Sequence, residues 1–263
     1  MVNILVIPDS HATPAHNNSR FDLLGQYIVD KKPDIVVNIG DWADMQSLSS
    51  YDRGKKSFEG RRYKVDIEAA IDAQVRMFKP IKEYNKRQRE NKQKQYKPRL
   101  IHTTGNHDWG RINRIVELQP ELEGAISVAD LKYEEFGWEV YPYGKIVFVE
   151  GVAFCHTFPS GVMGKPIGGE HHSYSLISKM HHSCVAGHSH LRDFAERTTA
   201  EGKRLIGLIV GCYMDEDHHE PYAASTDHMW WRGLVMLHNV KHGEFDPEFI
   251  SMKRLRSMYA KVG

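Results

Sequence analysis

Cysteine is scarce: the 263-residue chain holds three, Cys155, Cys184 and Cys212. Thiols so few and so far apart exclude a disulfide framework and a sulfur-ligated zinc knuckle. Their apolar, strand-like surroundings predict buried, reduced side chains. Long apolar runs are missing as well, and none approaches the ~20 residues of a transmembrane span. The opening MVNILVIPDSH has no basic flank and no long apolar stretch with a cleavage site, so the expectation is a cytoplasmic chain. Neither charge dominates, since 35 Lys and Arg against 34 Asp and Glu give +1. That balance excludes a global attraction to nucleic acid or membrane and leaves only local patches to supply one. Internal repeats and low-complexity tracts are also lacking. What is abundant is histidine, at 16 residues. Imidazole is the commonest metal ligand and titrates near neutrality, so the surplus directs attention to metal and proton-transfer chemistry.

The order of elements predicts an α/β fold. Residues 2–8, VNILVIP, read as a buried parallel strand, followed by a helix carrying Phe21, Leu24, Tyr27 and Ile28. A turn at Lys32-Pro33 leads to a second buried strand, DIVVNIG at 34–40. Ile67, Ile71, Val75 and Phe78 repeat at helical spacing and predict a helix with one packed face, ended or kinked at Pro80. KEYNKRQRENKQKQYKPR, 82–99, is strongly basic: a solvated helix face, or an electrostatic strip for a polyanion. Together these make a basic helical insertion at about 60–99 in one domain spanning 1–263. RLIHTTG is a third strand, followed by a helical stretch near 111–133. WEVYPYGKIVFVEGVAFCHTF predicts three strands with turns at Tyr143-Gly144 and Glu150-Gly151. A helix around 173–182, the strand in SCVAGHSH, and hairpins about Glu201-Gly202 and His242-Gly243 complete the reading.

At five strand ends the apolar run stops and metal-type ligands appear: Asp9 and His11, then Asp41, Asn106, His156, and finally His188 with His190. Each has a bland alternative, since Gly-Asp after a strand is commonly a turn or helix cap. Strand-end loops of one sheet converge in space, however, so residues distant in sequence can share a pocket. Imidazole nitrogen and carboxylate oxygen without thiolate suit hard or borderline divalent ions. Two such ions bring four positive charges against two carboxylates, Asp9 and Asp41. A centre left positive in this way lowers the pKa of bound water and attracts an anionic ester.

DSH at 9–11, GDWAD at 40–44, GNHD at 105–108, His156 in FCHTF and GHSH at 187–190 resemble, in order, the five motifs of calcineurin-like metallophosphoesterases. The resemblance implies two packed mixed β-sheets flanked by helices, a four-layer αββα sandwich. It implies two divalent metal ions, with manganese favoured and iron, zinc, nickel or cobalt admitted. One would take Asp9, His11, Asp41 and His190; the other would take Asp41, Asn106, His156 and His188, with Asp41 bridging. It further implies that His107 faces the phosphoryl oxygens or the leaving group and that Asp44 orients it. The implied activity is phosphoester hydrolysis by a metal-bridging hydroxide. Asp108 is open between a turn role and a catalytic one.

Serine/threonine phosphatases of this superfamily carry an arginine directly after the second motif, where this chain has Met45. Its lack favours phosphodiesters, nucleotides or nucleic acid over monoesters as substrate. A phosphomonoesterase of the same fold and a non-catalytic metal-binding scaffold are the alternatives. MQSLSSYDRGKKSFEGRRYK with the compact GHSH core looks like bacteriophage-encoded members, which would place the chain in a host cytoplasm. Three stretches are candidates for a substrate wall: the glycine-rich loop 157–173, the pair Trp230-Trp231, and MDEDHHEPY at 214–222, this last read as a solvated acidic turn.

Overall fold

A computed structural model describes residues 1–220, 223 and 225–259. Its chain order is β1 (Val2–Ile7), α1 (Arg20–Lys31), β2 (Ile35–Asn38), α2 (Tyr63–Glu90), β3 (Arg99–Thr103), α3 (Arg111–Leu118) and β4 (Glu139–Tyr141). There follow β5 (Val147–Val149), β6 (Val152–Cys155), β7 (Pro159–Ser160), β8 (Lys165–Pro166), α4 (His172–Met180) and β9 (Cys184–Ala186). The last elements are β10 (Arg192–Thr198), β11 (Arg204–Val210), β12 (Gly233–Lys241), β13 (Glu244–Ser251) and α5 (Met252–Tyr259).

These strands form two mixed sheets, ordered β13-β12-β1-β2-β3-β4 and β10-β11-β9-β6-β5. The period-two alternation of strand side chains assigns each residue to a layer. In β1, Ile4 and Val6 join a core with Val37 and Ile101 of their own sheet and Phe154, Val185 and Leu208 of the other. Leu5 and Ile7 point the opposite way, into a core with Phe21, Leu24 and Ile28 of α1 and Met77 of α2. The outer face of the second sheet, through Ala153, Cys184 and Ile209, packs on Leu176 of α4. Three apolar cores between four layers are the αββα sandwich expected from the sequence. All three cysteines are buried and free.

Two expectations are corrected here. The buried face of α2 is Ala70, Ala73, Gln74, Met77, Phe78 and Ile81, whereas Val75 is exposed. Helical spacing was the right signal, since Phe78 is buried and Ile67 packs partly buried against the core, but Val75 falls outside the packed stripe. The helix also continues through Pro80, whose ring seats against Gly25 of α1, so packing holds a turn that proline alone would break. A third difference concerns 111–133, where the helix ends at Leu118 and short 3-10 turns follow at Pro120–Leu122 and Val128–Leu131. The turn at Tyr143-Gly144 carries the chain from β4 in one sheet to β5 in the other. Among the described residues no helix is long and apolar enough to cross a membrane.

Candidate metal centre

β1, β2 and β3 run parallel in the first sheet, and β6 and β9 run parallel in the second. The five motifs follow the carboxyl ends of these five strands, so one edge of the sandwich gathers them all. Backbone hydrogen bonds stitch the first two motifs together: the amides of Ser10 and His11 donate to the Asp41 carbonyl at 3.0 and 2.9 Å, and Asp44 N donates to the Ala12 carbonyl. His11, Asp41, His188 and His190 all adopt left-handed backbone, with φ of 45, 51, 70 and 58°. Non-glycine residues enter that region at an energetic cost and persist there when the surroundings enforce it, most often at functional sites.

All nine residues singled out in the sequence meet. His190 Nε2 lies 3.2 Å from an Asp9 carboxylate oxygen, and His156 Nε2 lies 3.2 Å from Asp41 Oδ2 and 3.0 Å from Asn106 Oδ1. His11 Nε2 is 3.7 Å from Asp41 Oδ2, and the rings of His156 and His188 are 5.2 Å apart. Two groups close enough to share an ion are Asp9 with His11 and His190, and Asp41 with His156 and His188. A third combination, His11, Asp41 and His107, is equally compact. His107 Nδ1 is engaged at 2.6 Å by Asp44 Oδ1, and its Nε2 stands 3.9 Å from Asp41 Oδ2. Two glycines permit the close approach. A Cβ on Gly105 would lie 2.0 Å from Asp41 Oδ1, and one on Gly187 would lie 2.3 Å from Asp9 Oδ1.

The donor set fits divalent cations. Asp9 Oδ1 and His11 Nε2 are buried without a hydrogen-bond partner among the described residues, a costly arrangement that a cation would satisfy. Burial holds the His11 imidazole down to about 4, so this side chain offers a neutral lone pair at physiological pH. For His156 burial acts in the same direction, but the Asp41 and Asp9 carboxylates outweigh it and push the ring up to about 9. A cation taking His156 Nε2 therefore displaces a proton. The other nitrogen, Nδ1, sits 3.0 Å from the Ile39 carbonyl, which orients the ring.

Of four residues that support the centre, Arg20 and Arg111 carried no recognised signal, Glu220 a mistaken one, and Asp108 was open between a turn and a catalytic role. Arg20, fully buried, donates to the carbonyls of Ser10 (2.8 Å), Tyr213 (3.1 Å) and Asn17 (2.9 Å), and so braces the loop bearing Asp9 and His11. Arg20→Met is expected to lower unfolding free energy by about 3 kcal/mol or more, because it strands several buried carbonyls. Urea denaturation measures this, and a change under about 0.5 kcal/mol would dismiss the bracing role. Asp108 proves to be a structural pin: it accepts from Gly105 N (2.7 Å), Trp42 N (3.2 Å) and the Tyr133 hydroxyl (3.0 Å) and lies 3.2 Å from His102 Nε2. Arg111, the first residue of α3, reaches Asp44 and His107. Its position four residues after His107 on a helical turn was the signal that could have revealed it.

Glu220 corrects the reading of 214–222 as a solvated turn. It is buried, 3.8 Å from His11 Nδ1 and 2.9 Å from His218. Burial and the neighbouring Asp44 carboxylate push Glu220 up to about 8. Pro221 and Tyr222 of that stretch lie outside the described residues. Trp230 sets its ring edge-on to His190 at 4.3 Å, whereas Trp231 packs against Phe249. In the 157–173 loop, Phe158 and Ile167 anchor a small β7–β8 ribbon whose Val162 and Met163 are exposed.

The basic stretch is elsewhere. Asn85 and Tyr96 exchange hydrogen bonds, and the Tyr96 hydroxyl donates to the Pro33 carbonyl, just before β2. Residues 82–98 therefore flank the amino ends of β2 and β3, with the metal-type ligands beyond the carboxyl ends. The strand length alone separates them by about 15 Å at roughly 3.3 Å per residue.

Strand order, motif geometry and the cation-ready cluster together define a metallophosphoesterase site. The chain matches the calcineurin-like phosphoesterase family over residues 2–233 and belongs to it. It is thus a metal-dependent phosphoesterase. The gene 54 protein of Mycobacterium phage L5 is 26% identical over 242 residues, covering 89% of this chain and 88% of that protein. Among solved structures, a conserved predicted phosphoesterase of Streptococcus pneumoniae is 12% identical with a TM-score of 0.38, over 95% of this chain and 89% of that one. The Escherichia coli phosphoesterase Yfce is 10% identical with a TM-score of 0.36, over 94% and 98% of the two chains. The Pseudomonas putida nuclease MPE is 13% identical with a TM-score of 0.37, over 93% and 87%.

Proposed function

We propose that this chain hydrolyses phosphodiesters, in nucleotides or nucleic acid, at a two-metal centre. The observation that carries the reading is the convergence of Asp9, His11, Asp41, Asn106, His156, His188 and His190, with Asp9 Oδ1 and His11 Nε2 buried and lacking a hydrogen-bond partner among the described residues. Asp9, His11, Asp41 and His190 would hold one divalent ion, and Asp41, Asn106, His156 and His188 the other, with Asp41 shared. Manganese is the favoured ion. When bound, the ions supply Lewis acidity, bringing water toward ionisation at neutral pH and neutralising charge on the phosphoryl oxygens.

The chain's own residues do the rest. Asp44 accepts a hydrogen bond from His107 Nδ1, which fixes the ring and leaves Nε2 as the nitrogen available to the substrate side. His107 then donates to the leaving oxygen or to an equatorial phosphoryl oxygen. A cleft of about 480 Å³ opens over Asp41, Asn106, His107 and His188 and is walled by exposed Tyr51. That volume accommodates a phosphorus with two organic substituents, which supports the diester reading. The phage relative supports a phage-encoded setting in the host cytoplasm, where nucleic acid or nucleotides are the proposed substrates. The unit of function is one domain over 1–263, with 60–99 as its basic helical insertion.

The direct test is a matrix of divalent metals against cyclic nucleotides, single- and double-stranded DNA, RNA, and aryl mono- and diesters. Turnover that requires added metal and is higher on the aryl diester is expected. No hydrolysis with any metal would reject the enzyme reading, and faster monoester turnover would reject the diester preference. Because the basic stretch lies at the opposite pole, changing Lys92, Lys94 and Lys97 together to Gln should leave aryl diester turnover within about twofold of wild type. Any effect is expected on polynucleotide binding, as a shallower salt dependence in a filter-binding titration. Reduced aryl diester turnover would show that the stretch acts on the centre itself.

A further inference from the structure

The lack of a cation after the second motif is made good from another part of the chain. Arg111 lays its Nη1 on the backbone of that same position, donating to the carbonyls of Asp44 at 2.7 Å and Met45 at 3.3 Å, with Asp44 Oδ1 at 3.4 Å. Its Nη2 stands 3.4 Å from His107 Nε2. Among the described residues it is the only side chain of permanent positive charge lining the cleft over Asp41, Asn106 and His188. The side chain retains 16% of its surface exposed, so a ligand can reach it.

We propose that Arg111 grips a non-bridging phosphoryl oxygen of the substrate, in the role left open by Met45. Several observations converge on it. The anchoring bonds to Asp44 and Met45 fall on Nη1, while Nη2 stands 3.4 Å from His107 Nε2, a long contact that a charged oxygen can replace. Anchoring by main-chain carbonyls fixes the guanidinium before the substrate arrives, so little side-chain entropy remains to be lost. An anionic oxygen beside Nη2 would accept a charge-assisted hydrogen bond from the guanidinium, next to the ring of His107. Asp44 contacts both this guanidinium and the His107 ring, so one carboxylate positions both.

The inference rests on the two-metal reading and extends its substrate class. A guanidinium beside the metals serves a diester, but it serves a dianionic monoester more, since the added charge falls on an oxygen that the ions alone would have to share. Phosphomonoesters thereby join phosphodiesters as substrates for this centre, which removes the argument for excluding them from Met45 alone.

The experiment uses the manganese-loaded full chain with Arg111→Met and Arg111→Lys. Inorganic phosphate binding is measured by calorimetry, and kcat and KM are measured on aryl mono- and diesters. For Arg111→Met the expected result is about tenfold or more weaker phosphate binding, with KM rising further for the monoester than for the diester. Manganese stoichiometry and melting temperature should stay near wild type, and Arg111→Lys should recover part of the affinity. Phosphate affinity within about twofold of wild type in Arg111→Met would overturn the proposal. So would a loss accompanied by lost metal and lowered melting temperature that lysine does not rescue, which assigns Arg111 to bracing Asp44. If wild-type protein turns over no ester yet binds phosphate through Arg111, the grip stands and the hydrolase reading falls.

Discussion

Replacing Asp41 with asparagine should abolish most metal-dependent turnover, by about 10³-fold or more, while the protein stays folded. The size follows from where the carboxylate sits. Its Oδ2 is 3.2 Å from His156 Nε2, 3.7 Å from His11 Nε2 and 3.9 Å from His107 Nε2, and its Oδ1 accepts from the His107 amide at 2.7 Å. Asparagine can keep the amide contact through its oxygen, but it removes the one charge that both halves of the ligand set share. Phosphate ester hydrolysis is among the slowest uncatalysed reactions, with enzymes supplying up to ~10²¹-fold, about 29 kcal/mol. Proton transfer gives only about 10²–10⁴-fold, so in the two-metal reading most of the remainder would come from the proposed metal pair, and a misassembled pair would cost several kcal/mol.

Asp41 should also leave a mark in the metal-free protein. Burial alone would raise its carboxyl, but His156, His107 and His11 outweigh it and hold the group well below the ordinary carboxylate range. A carboxylate depressed in the folded state contributes stability that is present above its unfolded value and lost as pH falls through the folded one. Asp41→Asn lacks this acid-dependent component, so its melting temperature should fall less steeply than wild type on acidification below pH ~4. Calorimetric metal titration, melting curves and turnover with manganese measure the three effects. Full metal-dependent turnover in Asp41→Asn would sink the shared-ligand assignment.

His107→Asn should cost about 10²–10⁴-fold in kcat on an aryl diester while metal binding stays at two ions per chain. In the proposed role His107 gives a proton from Nε2, and the 2.6 Å contact between its Nδ1 and Asp44 Oδ1 holds the ring for it. Because the pair acts as a unit, Asp44→Asn in the His107→Asn background should add much less than it costs alone. Asp44 also meets His11 at 3.1 Å and Arg111, so on its own it should cost more than the loss of His107 orientation. The compact His11, Asp41 and His107 group makes a second outcome specific. If His107→Asn binds one ion instead of two, His107 is a ligand and the proton-donor role is wrong. An activity loss that is milder for substrates with better leaving groups would support proton donation to the leaving oxygen.

The legible part of this fold was the part written in local periodicity. Apolar runs at β1, β2 and β3, the helical spacing of Phe21, Leu24, Tyr27 and Ile28, and the turn at Glu201-Gly202 each depend on near neighbours in the chain. The structure has those elements at those residues. On α2 the apolar Val75 predicts burial by its hydrophobicity, yet the packed stripe runs through Ala70, Ala73, Met77, Phe78 and Ile81 and leaves Val75 exposed. Hydrophobicity is a property of a residue; its place relative to the packed stripe is not. Pro80 was misread for a similar reason, since the ring's partner on α1 is invisible to its sequence neighbours.

For the proposed site, residue types and their order point to Asp9, His11, Asp41, Asn106, His156, His188 and His190, which the structure brings together. Parallel strands must deliver their following loops to one edge, so a ligand type after each strand end is already a statement about space. The supporting residues were beyond reach because each acts across the fold. Arg20 braces Ser10 from α1, Glu220 reaches His11 from more than two hundred residues downstream, and Arg111 reaches the main chain of Met45 from α3. The turn TTGNHDWG divides along the same line. Sequence alone determined that an amide, an imidazole and a carboxylate stand together after β3. Only tertiary structure decided that Asn106 faces His156, His107 faces Asp44, and Asp108 turns inward to Gly105, Trp42 and Tyr133, because three adjacent side chains on one tight turn point to different partners, each supplied by distant chain.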